Sequence, residues 1–163
     1  MAVGWTPKNY GGTSGGSVTV MEALVKSMNI PTVYLADQVG MGKVIQTAKN
    51  VGISTLVTEG EYSDTNLATA LGGLTYGVSV WDMAKAYSVF ANGGKLVEPT
   101  VIMKVVDRNG KVIEDHSGAR ESTQAVDEAS AWTLTSVLEE VISRGTGGNA
   151  YIGRPSAGKT GTT

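Results

Sequence analysis

The chain has 163 residues, 41% of them hydrophobic and 17% charged, with a formal net charge of -2. That size suits one domain, and the composition supports a packed core while excluding a disordered chain. No basic block is present, which argues against nucleic acid or an anionic membrane surface as a partner. Cysteine is absent, so disulfides, thiolate catalysis and Cys-based zinc sites are excluded.

The first predicted element begins at Thr19. Thr19-Val20-Met21-Glu22 reads as a capping box, in which the threonine accepts from the amide of residue 22 and Glu22 reaches back. Val20, Leu24 and Val25 then form one apolar stripe, and the helix is expected to end near Asn29, before Pro31. Pro31 suits the first position of a second helix running to about Gly40. A third, 43–51, stops at Gly52, a candidate left-handed cap.

Residues 53–78 read as loop, with Ser63-Asp64-Thr65-Asn66 as a turn. Ser79 opens a helix that Asn92-Gly93-Gly94 closes, its apolar stripe running through Val80, Met83, Ala84, Tyr87 and Ala91. The Asp107-Arg108-Asn109-Gly110 turn, flanked by β-prone runs, predicts a hairpin over 99–115. A long helix is predicted over 127–143, with Ala131, Leu134, Leu138 and Val141 inward. The Thr- and Gly-rich tail, 157–163, is predicted as a strand with no visible partner, which suggests a sheet that continues outside this sequence. No apolar run approaches the roughly 18 residues of a spanning helix, and neither a signal peptide nor a membrane anchor is expected.

Two patterns overlap in the tail. Gly153 to Thr160 satisfies the P-loop expression G-x-x-x-x-G-K-[ST]. A P-loop holds phosphate on the amides that open a helix, and only Gly161-Thr162-Thr163 follow. The nucleotide-hydrolase reading is therefore kept only as an alternative. The second pattern is Lys159-Thr160-Gly161-Thr162. On an extended segment the lysine and a hydroxyl can meet a carboxylate, and Gly161 lets a ligand approach the backbone.

This second pattern does not stand by itself. Ser27-Met28-Asn29 lies upstream, and S-x-N followed by K-T-G are two of three motifs shared by penicillin-binding proteins and serine β-lactamases. Further matching stretches lie in order between them: Ala70-Leu71-Gly72-Gly73, Phe90-Ala91-Asn92-Gly93-Gly94, Arg144-Gly145-Thr146-Gly147 and Gly153-Arg154-Pro155. The chain resembles the transpeptidase domain of penicillin-binding proteins, of the class A (bifunctional) type, from before S-x-N through K-T-G-T.

The resemblance implies an α+β fold of the penicillin-binding protein/serine β-lactamase type, incomplete here. Residues 1–163 would be a partial transpeptidase domain: a loop at 1–17, a mainly helical subdomain at 18–92, the hairpin, the long helix and the K-T-G-T strand. It implies a serine D,D-transpeptidase that cross-links peptidoglycan stem peptides ending in D-Ala-D-Ala and binds β-lactams, on the extracytoplasmic face of a bacterial membrane. No metal or organic cofactor is implied.

By the same resemblance Ser27 relays a proton, and Asn29 holds a catalytic lysine and the substrate amide. Lys159 and Thr160 bind the terminal carboxylate, and Gly161 gives access to the backbone. Thr162 supplies an oxyanion-hole N–H, with its hydroxyl near the carboxylate. The third motif, S-x-x-K, carries the nucleophile, and nothing upstream of Ser27 fits it. Ser156-Ala157-Gly158-Lys159 matches in letters only, because a lysine one helical turn from the serine is needed and this stretch is rich in Pro and Gly. The chain is thus expected to lack its nucleophile, to be inactive by itself, and to pair with the remainder of its domain. The alternative from another class is a non-catalytic scaffold or binding fragment.

Overall fold

A computed structural model describes residues 5–12 and 16–161. Five helices, α1 (Val20–Val25), α2 (Asn29–Val39), α3 (Met41–Asn50), α4 (Val80–Ala91) and α5 (Glu128–Ser143), are accompanied by four short strands. These are β1 (Lys95–Val97), β2 (Lys104–Val106), β3 (Val112–Asp115) and β4 (Ser122–Gln124). The fold is α+β. Among the described residues no helix is long and apolar enough to cross a membrane.

Local side chains start three of the helices. Thr19 accepts from the Glu22 amide at 3.1 Å, Ser79 from Asp82 at 3.0 Å and Asp127 from Ser130 at 2.9 Å, each satisfying one orphan amide of a first turn. The other half of the box at Thr19 is replaced, because the Glu22 carboxylate pairs with Lys26 and Arg144, both at 2.8 Å.

α1 ends earlier than expected. Its last residue is Val25, and Ser27 adopts φ 53°, the left-handed region. The Ser27 amide donates to Leu24 O (3.1 Å) and the Met28 amide to Ala23 O (2.8 Å). This is a Schellman turn in which serine stands where glycine is usual. A non-glycine residue there costs roughly 1–2 kcal/mol. Asn29 therefore opens α2 instead of closing α1, and Pro31 is its third residue rather than its first. The missing N–H of Pro31 is still among the four that lack helical partners. Met28 gives α2 no side-chain cap. That role falls to Asn9, whose Oδ1 accepts the Ile30 amide at 2.9 Å.

Two apolar clusters hold the elements. Val25 of α1 packs with Val137, Leu138 and Val141 of α5, flanked by Leu24 and Leu134. Val51 and Ile53 meet Ala86 and Val89 of α4, flanked by Leu96 and Val126. Each buried valine or leucine contributes about 1.5–3 kcal/mol. The loop between α3 and α4 is fastened by Asp64, only 1% exposed. Its carboxylate accepts from the amides of Val57 (2.8 Å) and Thr75 (2.7 Å) and from the Thr75 hydroxyl (2.8 Å). The Val57 amide contributes most to holding this acid below its usual range.

β2 and β3 form the expected hairpin, but its paired strands are confined to 104–106 and 112–115. β1 and β4 form a second antiparallel ladder that was not anticipated. Residues 157–161, the described part of the expected strand at 157–163, pair with none of the described strands. Residues 162 and 163 lie outside the described residues. No helix forms over 153–161 either, so the P-loop string lacks the helix N-terminus it needs.

Candidate functional site

The Schellman turn after α1, the start of α2 and the segment 159–161 enclose a cleft of about 830 Å³. Lys8, Asn9, Ser27, Asn29, Thr146, Lys159, Thr160 and Gly161 are among its lining residues. Ser27 sits at the left-handed position of that turn, and Lys159 Nζ donates to Ser27 Oγ at 2.6 Å, across 132 residues of sequence. The same ammonium donates to its neighbour's carbonyl, Thr160 O, at 3.0 Å.

Lys159 enters none of the ion pairs among the described residues. Burial is what lowers its pKa. A half-buried ammonium without a counter-anion, beside two hydroxyl-bearing residues in an open cleft, favours a negatively charged ligand. Lys26, also at the cleft, is paired with Glu22.

Thr146, three residues past the end of α5, also lines the cleft. Gly145 lies so close to α1 that a Cβ there would sit 2.4 Å from Val25 O. The Thr146 amide donates to that carbonyl at 3.3 Å, satisfying one orphan acceptor of α1. Arg144 bridges Glu22 on α1 and Glu140 on α5. The Thr146 and Thr160 hydroxyls are 2.6 Å apart.

The structure thus brings Ser27, Lys159 and Thr160 together, with Gly161 at the cleft. Asn29 faces it too, but its amide nitrogen donates to Lys8 O at 2.8 Å and makes no bond to Ser27 or Lys159. Thr162 lies outside the described residues. Ser156 Oγ is buried without a hydrogen-bond partner among the described residues, and Lys159 bonds to Ser27 instead. Sequence reasoning missed Thr146, which it placed only in a matching stretch, and the Lys8-Asn9 segment, whose contacts with α2 leave no local signal.

Residues 3–163 match the family model described as the penicillin binding protein transpeptidase domain, and the chain belongs to that family. It is 35% identical to penicillin-binding protein 1F of Bacillus subtilis over 161 residues, 98% of this chain and 21% of that protein. Its identity to penicillin-binding protein 1A of Streptococcus pneumoniae is 33%, over 96% of this chain and 23% of that protein. These relatives support the class A type. Among solved structures, the penicillin-binding protein PonA1 of Mycobacterium tuberculosis superposes with a TM-score of 0.81 at 30% identity, covering 96% of this chain and 43% of that one. The chain spans about a fifth of the length of the curated relatives it matches.

Proposed function

We propose that this chain provides the carboxylate-recognition and proton-relay side of a serine D,D-transpeptidase site acting on peptidoglycan stem peptides ending in D-Ala-D-Ala. The observation that carries this reading is the 2.6 Å contact from Lys159 Nζ to Ser27 Oγ, made in a cleft by a lysine with no counter-ion among the described residues.

In this reading Lys159 and Thr160 hold the terminal carboxylate. A serine oxygen attacks the penultimate carbonyl, and the bond to the terminal D-alanine nitrogen breaks. Ser27 passes the proton to that leaving amine, and the amine of a second stem peptide then attacks the acyl-enzyme ester. Thr162 supplies an oxyanion-hole N–H, and Gly161 allows the close backbone approach; both roles rest on the family resemblance. Asn29, bonded to Lys8 O here, fixes the cleft wall and offers its carbonyl oxygen to the substrate amide or the catalytic lysine. The reaction belongs on the extracytoplasmic face of a bacterial membrane.

A serine hydroxyl needs a base within hydrogen-bonding reach to become a nucleophile. Ser27 touches Lys159, whose charge is committed to the ligand carboxylate, and Ser156 has no hydrogen-bond partner among the described residues. This chain by itself is therefore a binding half-site and forms no acyl-enzyme. Titrating the 163-residue chain with benzylpenicillin tests both parts. Reversible amide shifts should centre on Ser27, Lys159 and Thr160, and the intact mass should stay unchanged. Shifts elsewhere would remove the cleft from the reading, and a stoichiometric mass increment would mean that the nucleophile is present.

A further inference from the structure

The contact between the Thr146 and Thr160 hydroxyls is not used by the proposal above. Two hydroxyls 2.6 Å apart share one proton, and either can be the donor. If Thr160 donates, its lone pairs face the cleft and oppose an anion. If Thr146 donates, the Thr160 proton is released into the cleft, beside the Lys159 ammonium. An anionic ligand selects the second arrangement.

The backbone of Thr146 is fixed independently of Thr160. Its amide donates to Val25 O, Gly145 lies against the same carbonyl, and the Gly147 amide donates to Val141 O at 2.9 Å. A closed circuit results. It runs from the end of α1 through the Thr146 amide and hydroxyl to Thr160, then through Lys159 to Ser27, two residues past the starting carbonyl.

We propose that Thr146 is a positioning residue for the carboxylate subsite: its hydroxyl donates to Thr160 and turns the Thr160 proton toward the ligand. This rests on the carboxylate-binding reading of Lys159 and Thr160. The relevant ligand class is a peptide with a free C-terminal carboxylate.

The test uses the 163-residue chain and N-acetyl-D-Ala-D-Ala, followed by amide chemical shifts, with the folded state of every variant confirmed from its spectrum. Thr146→Val keeps the shape and removes the donor, and is expected to weaken binding about 2–10-fold, the range for one neutral hydrogen bond. Thr146→Ser should bind as the parent does. Adding Thr146→Val to Thr160→Val should cost nothing further, because the two groups act as a unit. Binding by Thr146→Val equal to the parent, alongside weakened Thr160→Val, would overturn this inference and leave the carboxylate reading standing. Equal weakening in Thr146→Val and Thr146→Ser would make the residue merely structural and also overturn it. No dipeptide binding by the parent chain would remove both.

Discussion

Lys159→Met is expected to lower affinity for N-acetyl-D-Ala-D-Ala roughly ten- to hundredfold while leaving the thermal midpoint unchanged or raised. The first effect follows from losing a charge-assisted hydrogen bond to a carboxylate, about 1.5–3 kcal/mol. The second follows from the free protein, where the ammonium is half-buried with no anion beside it among the described residues and burial disfavours its charged form. Methionine fills similar space without that penalty. A lysine serving only the fold would give the opposite pair, lost stability with affinity intact. Calorimetric titration and thermal melts of the same two proteins separate the cases.

Gly145→Ala, next to the cleft-lining Thr146, should be strongly destabilising. The added Cβ would lie 2.4 Å from Val25 O and 2.9 Å from both Val141 Cα and Val141 O, all backbone atoms. None can move as a side-chain tip would, so α1 and α5 must separate. The cluster of Val25 with Val137, Leu138 and Val141 lies at that junction. Overpacking of this kind costs about 3 kcal/mol, or roughly 6–12 °C in Tm for a chain of this size. Thr146 would shift with the turn, so dipeptide binding should weaken even in the molecules that remain folded. A Tm within about 2 °C of the parent would mean that the α1–α5 junction is more yielding than its packing implies.

What could be read from the sequence was mostly local. Thr19, Ser79 and Asp127 announce their helices because an N-cap and its amide lie three residues apart. The Asp107–Gly110 turn announces a hairpin for the same reason. The end of α1 misled because a Schellman turn is signalled by glycine and here the residue is Ser27. The price of that left-handed serine is met by what it achieves, a hydroxyl aimed at Lys159, which glycine could not supply. β1 and β4 pair across two intervening strands with no turn between them to signal it. The cap that Asn9 lends α2 spans 21 residues, beyond any local pattern.

The site itself was legible only through family resemblance. Ser27 and Lys159 were both named for the site, with separate roles, and spacing alone would never join residues 132 apart. Thr146 escaped because its role depends on Gly145 packing against α1, a tertiary contact that no short motif encodes. Asn29 was named for the site and does line the cleft, but the bond from its amide nitrogen to the Lys8 carbonyl, 21 residues away, had no local signal.

The pH behaviour of Lys159 carries the sharpest consequence. Its folded pKa lies below the ordinary 10.5 because burial disfavours the charge. Between those two values the folded chain binds fewer protons than the unfolded chain, so stability rises as pH climbs through that window. The penalty is full below the folded pKa and gone above 10.5. A carboxylate ligand reverses the shift, so binding takes up a proton in the same window and weakens as pH rises through it. The direct measurement is a side-chain nitrogen NMR titration of Lys159, with and without saturating N-acetyl-D-Ala-D-Ala. The expected result is a midpoint below 10.5 in the free chain that moves upward when the dipeptide is bound. A midpoint at or above 10.5 in the free chain, unmoved by the dipeptide, would contradict a desolvated lysine placed to receive a peptide carboxylate.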